Sequence, residues 1–66
     1  MKISYEELNL VGLKEKKAKK LSNKAGWHIR VTERDGYPIV ITRDYRTDRI
    51  NVSVDQEIVT EVFGIG

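Results

Sequence analysis

The sequence predicts an α+β fold in which one helix packs on a small three-stranded sheet and a long exposed loop joins two of the strands. Three observations predict it. A single stretch, Leu13 to Ala25, has helical periodicity. Three short segments instead alternate or run apolar at strand spacing. Between the first and second of these lies a long connection with no helical period. A helix with one apolar stripe and a sheet with one apolar face must cover each other, which gives a two-layer sandwich. The 66 residues suffice for one domain spanning the chain.

Met1 to Val11 is a lead-in. Tyr5, Leu8, Leu10 and Val11 are apolar without a period, so this segment is expected to cross the core as an irregular arm or short strand. In the helix, Leu10, Leu13, Ala18, Leu21 and Ala25 fall in a stripe roughly 140° wide at helical spacing. Lys17 lies inside that stripe and is expected to snorkel. Gly26 ends the helix, since glycine adopts the left-handed conformation at little cost.

Trp27 to Thr32 alternates, with Trp27, Ile29 and Val31 facing one way and His28, Arg30 and Thr32 the other. That is a half-buried strand. Glu33 to Gly36 has turn composition. A second strand alternates through Ile50, Val52 and Val54, with Arg49 at its start. Asp55, Gln56 and Glu57 turn the chain, and Ile58 to Phe63 forms the third strand with Val59 inward. Gly64 and Gly66 close the chain.

Composition narrows the chemistry. With no cysteine there is neither a disulfide framework nor a thiolate metal site. A domain this small buries only about 60% of the surface of its unfolded chain, so packing must be economical. No apolar run exceeds three residues, which rules out a membrane-spanning helix. The first residues lack the apolar core of a signal peptide, so the expected setting is the cytoplasm or a mature secreted chain. The single histidine, His28, sits on the polar side of a strand with no nucleophile fixed beside it. Asp44, Asp48 and Asp55 are interleaved with arginines, a pattern of ion pairs rather than of a cation cage. The serines fall in no nucleophile motif and no glycine loop cradles phosphate. The chain is expected not to be an enzyme, and no cofactor or metal is implied.

Two features remain. The helix concentrates Lys14, Lys16, Lys17, Lys19, Lys20 and Lys24 against one acid, Glu15, although net charge is only +2. Such a face can attract phosphates, yet a solvated face that keeps a small domain in solution is the simpler reading. The other feature is the connection from Thr32 to Arg49. Loops of this length in compact domains are usually functional or disordered, and Ile39-Val40-Ile41 argues against disorder. The block Thr42-Arg43-Asp44-Tyr45-Arg46 follows, and Arg49 opens the next strand. A guanidinium at Arg49 can bridge Asp44 by charge-assisted hydrogen bonds and stiffen the segment. A stiffened, displayed segment is suited to lying in a protease cleft as a substrate mimic.

At these residues the chain resembles the potato type I serine-protease inhibitors, the family of the barley chymotrypsin inhibitors and eglin, with small bacterial relatives. The resemblance runs from about Tyr5 to Gly66. It is carried by Leu10-Val11-Gly12, by the block from Asp44 to Arg49, and by Val52-Ser53-Val54-Asp55. It implies that the sheet is mixed, with the strand at Trp27 parallel to that at Arg49 to Val54, and that the loop is inhibitory. The scissile bond would be Arg43-Asp44. Arg43 would enter the primary specificity pocket, Val40, Ile41 and Thr42 the acyl-side subsites, and Asp44, Tyr45 and Arg46 the leaving-group side. The family supports its loop with two arginines on the strand below. Arg49 matches the first, and Asn51 stands at the second. Lys14 replaces the usual hydroxyl residue at the helix start, and the turn after Asp55 is one residue shorter. The implied partner is a serine protease, trypsin-like for an arginine or subtilisin-like, met by a monomer. The alternative functions are a non-inhibitory interaction module on the same scaffold, or a binder of nucleic acid or an acidic partner through the lysine-rich helix. Nucleic acid and membrane are not expected partners.

Overall fold

In a computed structural model the chain is described over residues 3–66. Met1 and Lys2, the first residues of the expected lead-in, lie outside the described residues. The elements are a 3-10 helix at Tyr5–Leu8, helix α1 at Glu15–Lys24, and strands β1 at His28–Arg34, β2 at Tyr37–Pro38, β3 at Arg49–Asp55 and β4 at Ile58–Ile65. The sheet order is β2-β1-β3-β4. β1 and β3 are parallel, and the other two pairings are antiparallel.

Four strands therefore replace the three expected. The added strand, β2, follows a turn at Asp35-Gly36, where both residues have positive φ, 53° and 82°. That is the backbone of a tight hairpin turn, and Asp-Gly is among its preferred sequences. Glu33 and Arg34 accordingly extend β1 rather than turning the chain. Asp55 likewise belongs to β3, and the next reversal is made by Gln56 and Glu57, again at positive φ. The two turns are joined, because the Gln56 amide donates to the Asp35 carboxylate at 2.7 Å.

Among its described residues the lead-in forms no strand: a 3-10 helix at Tyr5–Leu8 interrupts an otherwise irregular path, which does place Leu8 and Leu10 in the core as expected. Ser4 caps the 3-10 helix, its hydroxyl accepting from the Glu6 amide. The chain then runs along the start of β4, with Gly12 donating to the Val59 carbonyl and Val59 donating to that of Leu13. This pairing delays α1 to Glu15, so Leu10 and Leu13 precede the helix instead of forming its stripe. The face that α1 buries is also rotated. Ala18 and Ser22 are sealed from solvent, whereas Leu21 is exposed. Small residues at the contact let the helix backbone approach the sheet closely.

The core comprises Leu8, Leu10, Ala18, Trp27, Ile50, Val52, Val54 and Val59. Trp27 is a core residue, as its register in the sequence requires. Its indole donates to the Ile3 carbonyl at 2.9 Å, and Tyr5 meets the ring edge-on with centroids 6.0 Å apart. A salt bridge from Arg34 on β1 to Glu15, 2.7 Å, ties the first turn of α1 to the sheet. Its two guanidinium hydrogen bonds, aided by Lys19, hold the Glu15 carboxyl down at about 2.

Candidate functional site: a loop clamped by two arginines

Alternation in β3 sends Ile50, Val52 and Val54 toward the helix, so Arg49 and Asn51 project from the opposite face. On β1 the same rule places Arg30 on that outer face, and the parallel register sets Arg30 beside Asn51. Parallel strands cannot be joined by a tight turn. After β2 the chain must therefore return over the sheet to reach β3, and residues 39–46 do so without helix or strand hydrogen bonding. The Ile39 amide donates to Thr32 at the start of this path, and at its end the Asp48 carbonyl accepts from His28.

The loop lies over the outer-face polar groups and is fastened to them. Arg49 donates through one terminal nitrogen to the Asp44 carbonyl at 2.7 Å and through the other to the Asp44 carboxylate at 3.3 Å. Arg30 donates to the Thr42 carbonyl at 3.2 Å, and its Nε is held by Asn51 Oδ1 at 2.8 Å. The Gly66 carbonyl accepts from both arginines, 2.8 Å from Arg49 Nε and 3.4 Å from Arg30. Gly66 is itself anchored by its amide to the Arg49 carbonyl. Both guanidiniums are largely covered, with 17% of Arg30 and 13% of Arg49 exposed. Two cations side by side would repel, but the Asp44 carboxylate lies between them, 3.9 Å from Arg30 and 3.3 Å from Arg49.

Asp44 is also bound locally, because the Thr42 hydroxyl donates to its Oδ1. That bond and the Arg49 guanidinium bring its carboxyl down to about 2. Arg46, expected near the leaving-group side, forms a local fork to Asp48 with both bonds at 3.2 Å, which lowers the Asp48 carboxyl. His28 Nε2 lies 3.6 Å from Asp48.

Between these fastenings the loop displays apolar and basic groups. Val40 is 99% exposed and Tyr45 71%, with Ile39 and Ile41 partly covered. Arg43 stands between the two clamped carbonyls. Of the five arginines it is the one with no hydrogen bond or ion pair among the described residues. The lysine face is remote from this arrangement. Lys14, Lys16, Lys17, Lys20 and Lys24 point to solvent, and Lys19 pairs with Glu15. Arg30 and Arg34 could have enlarged that basic face, but one is engaged by the loop and the other by Glu15.

The part of the site not read from the sequence is the role of Arg30. Its strand position on the polar face was legible, but its loop partner is 12 residues away and Asn51 is 21. Among the described residues no group of acids and histidines could hold a metal ion, and no helix is long and apolar enough to cross a membrane. Among known proteins, the chain matches no family model and no curated sequence.

Proposed function

We propose that this chain is a substrate-like inhibitor of a serine protease that cleaves after arginine, with Arg43-Asp44 as the reactive bond. One observation carries the reading. Backbone carbonyls on both sides of Arg43 are gripped from beneath, at Thr42 by Arg30 and at Asp44 by Arg49, while Arg43 itself is exposed and unengaged. A structural arginine would be expected to find a carboxylate here, where Asp44 is adjacent and Asp48 close. The resemblance to the potato type I inhibitors points the same way.

The mechanism follows from ordinary serine-protease chemistry. The protease serine attacks the Arg43 carbonyl carbon, and its histidine passes the proton to the departing Asp44 amine. In a free peptide that amine diffuses away and water completes hydrolysis. Here Arg49 keeps Asp44 in place, so the amine can attack the acyl-enzyme, remake the peptide bond and return the proton to serine. Val40, Ile41 and Thr42 offer side chains to the acyl-side subsites, and Tyr45 to the leaving-group side. Because the loop is ordered before binding, less entropy is lost on docking.

The test is timed incubation with trypsin and with subtilisin, following residual protease activity and the mass of the small protein. The expected result is inhibition of the arginine-specific enzyme, with any cleavage slow and confined to Arg43-Asp44. Arg43→Ala should weaken that inhibition by at least about 30-fold, the loss of a buried anchor contributing about 2 kcal/mol or more, and should leave the melting temperature unchanged. Equal inhibition by the variant would sink the reading.

A further inference from the structure

We infer that Arg30, reaching across from β1, is the positioning residue that holds the acyl side of the reactive bond, and that the Arg30–Asn51 pair does in two strands what one long side chain could do from β3 alone. The inference rests on the inhibitor reading above, but the clamp itself is a property of the free protein.

The geometry divides the labour. Arg49 reaches only the leaving-group side, through the Asp44 carbonyl and carboxylate. The acyl side has a single guanidinium contact, Arg30 to the Thr42 carbonyl. Asn51 is too short to reach the loop and instead accepts from Arg30 Nε, which fixes the guanidinium plane. With Nε held, the terminal nitrogens point one toward Thr42 and one toward Gly66. The parallel register that makes Arg30 and Asn51 neighbours gives the two positions access to the same space. An arginine at either position, paired with asparagine at the other, should serve.

This assignment has a chemical consequence. After cleavage the Arg43 acyl group sits on the protease serine, and religation requires the Asp44 amine to meet the acyl carbon before water does. Arg49 restrains the amine and Arg30 restrains the acyl segment through Thr42. Loss of either leaves the Thr42 hydroxyl bond to Asp44 as the remaining tie across the cut, so the ends are held less firmly and hydrolysis gains on religation.

The experiment compares wild type, Arg30→Asn, Asn51→Arg, and the transposed double variant Arg30→Asn/Asn51→Arg. Two readouts are used: amide relaxation of residues 40–46 by NMR in the free protein, and the rate at which bound trypsin converts each protein to the species cut at Arg43-Asp44. Arg30→Asn should leave the fold intact, mobilise the loop amides and raise the hydrolysis rate about tenfold or more, the effect of one charge-assisted hydrogen bond. The transposed variant should restore both. A loop equally rigid without Arg30, or a transposed variant no better than Arg30→Asn, would overturn the assignment. If trypsin ignores the wild-type protein, the inhibitor reading fails, and the relaxation data still decide whether Arg30 is the clamp.

Discussion

The two faces of the sheet are built on different physics. On the inner face Ile50 and Val52 are fully buried and Val54 nearly so, under a helix that contributes only Ala18 and Ser22 to its own buried contact. Order there comes from exclusion of water and close packing, which are insensitive to the exact angles of the groups. On the outer face Arg30, Arg49 and Asn51 lie beneath a loop that has little apolar cover of its own. Order there comes from directional, charge-assisted hydrogen bonds to two carbonyls and one carboxylate. The inner face thus holds the helix to the sheet, and the outer-face arginines hold the loop and the Gly66 end of the chain. A small domain can so display a stiff loop without enlarging its core.

The largest effect expected from breaking this division is in the core. Ile50→Ala removes a fully buried side chain from the strand that carries both Arg49 and Asn51 on its other face. It should cost about 3 kcal/mol and lower the melting temperature by more than about 10 °C, measured by calorimetry. An Ile50→Ala protein that melts with the wild type would mean that the outer-face clamps support the whole fold.

Acid should separate the two faces next. Both Glu15 and Asp44 have carboxyls held at about 2, from 4.5 and 3.8 respectively. A carboxyl depressed by folding contributes stability that is complete above its unfolded value and is lost as pH falls through the folded one. Glu15 joins helix to sheet, so its share should leave global stability between about pH 4.5 and 2, read by thermal melts. Asp44 belongs to the loop, so its protonation between about pH 3.8 and 2 should loosen residues 42–46. In Glu15→Gln the melting curve should flatten over this range while the loop amides still titrate. Loop amides that no longer titrate in that variant would show the two devices to be coupled.

The smallest expected effect sharpens the account of the inner face. The Ser22 hydroxyl is buried with no hydrogen-bond partner among the described residues. Ser22→Ala should be neutral or stabilising by up to about 1 kcal/mol, seen as a small rise in melting temperature. A loss of that size would mean that the hydroxyl has a partner the static contacts do not include.

Much of this was legible in local pattern. The α1 segment, the alternations around Ile29 and Val52, the buried Trp27 and the reach of Arg49 to Asp44 all follow from spacing and residue type. Asp35-Gly36 also carried the signal for the hairpin that creates β2, though the two paired residues Tyr37 and Pro38 are too short to show a period. The rotation of α1 was not legible. Leucines dominate an apolar stripe on paper, whereas close approach to a sheet selects Ala18 and Ser22.

Local pattern was enough to locate α1, β1, β3 and β4 to within a few residues, to mark which of their positions are apolar, and to place Arg43 and Asp44 in a long connection rich in charge; it did not show β2 or the 3-10 helix at Tyr5–Leu8. Those properties depend on neighbours within a few residues, where backbone geometry sets the period. The parallel pairing of β1 with β3 agrees with what the family resemblance implied but is not contained in the residue pattern, and it is the folded sheet that sets Arg30 next to Asn51 beneath Thr42. Strand periodicity reports which face a residue occupies, but not which strand lies alongside, because that choice is made by packing across the whole sheet. The clamp is assembled from positions 30, 42, 44, 49, 51 and 66, and it exists only once the sheet has brought them together.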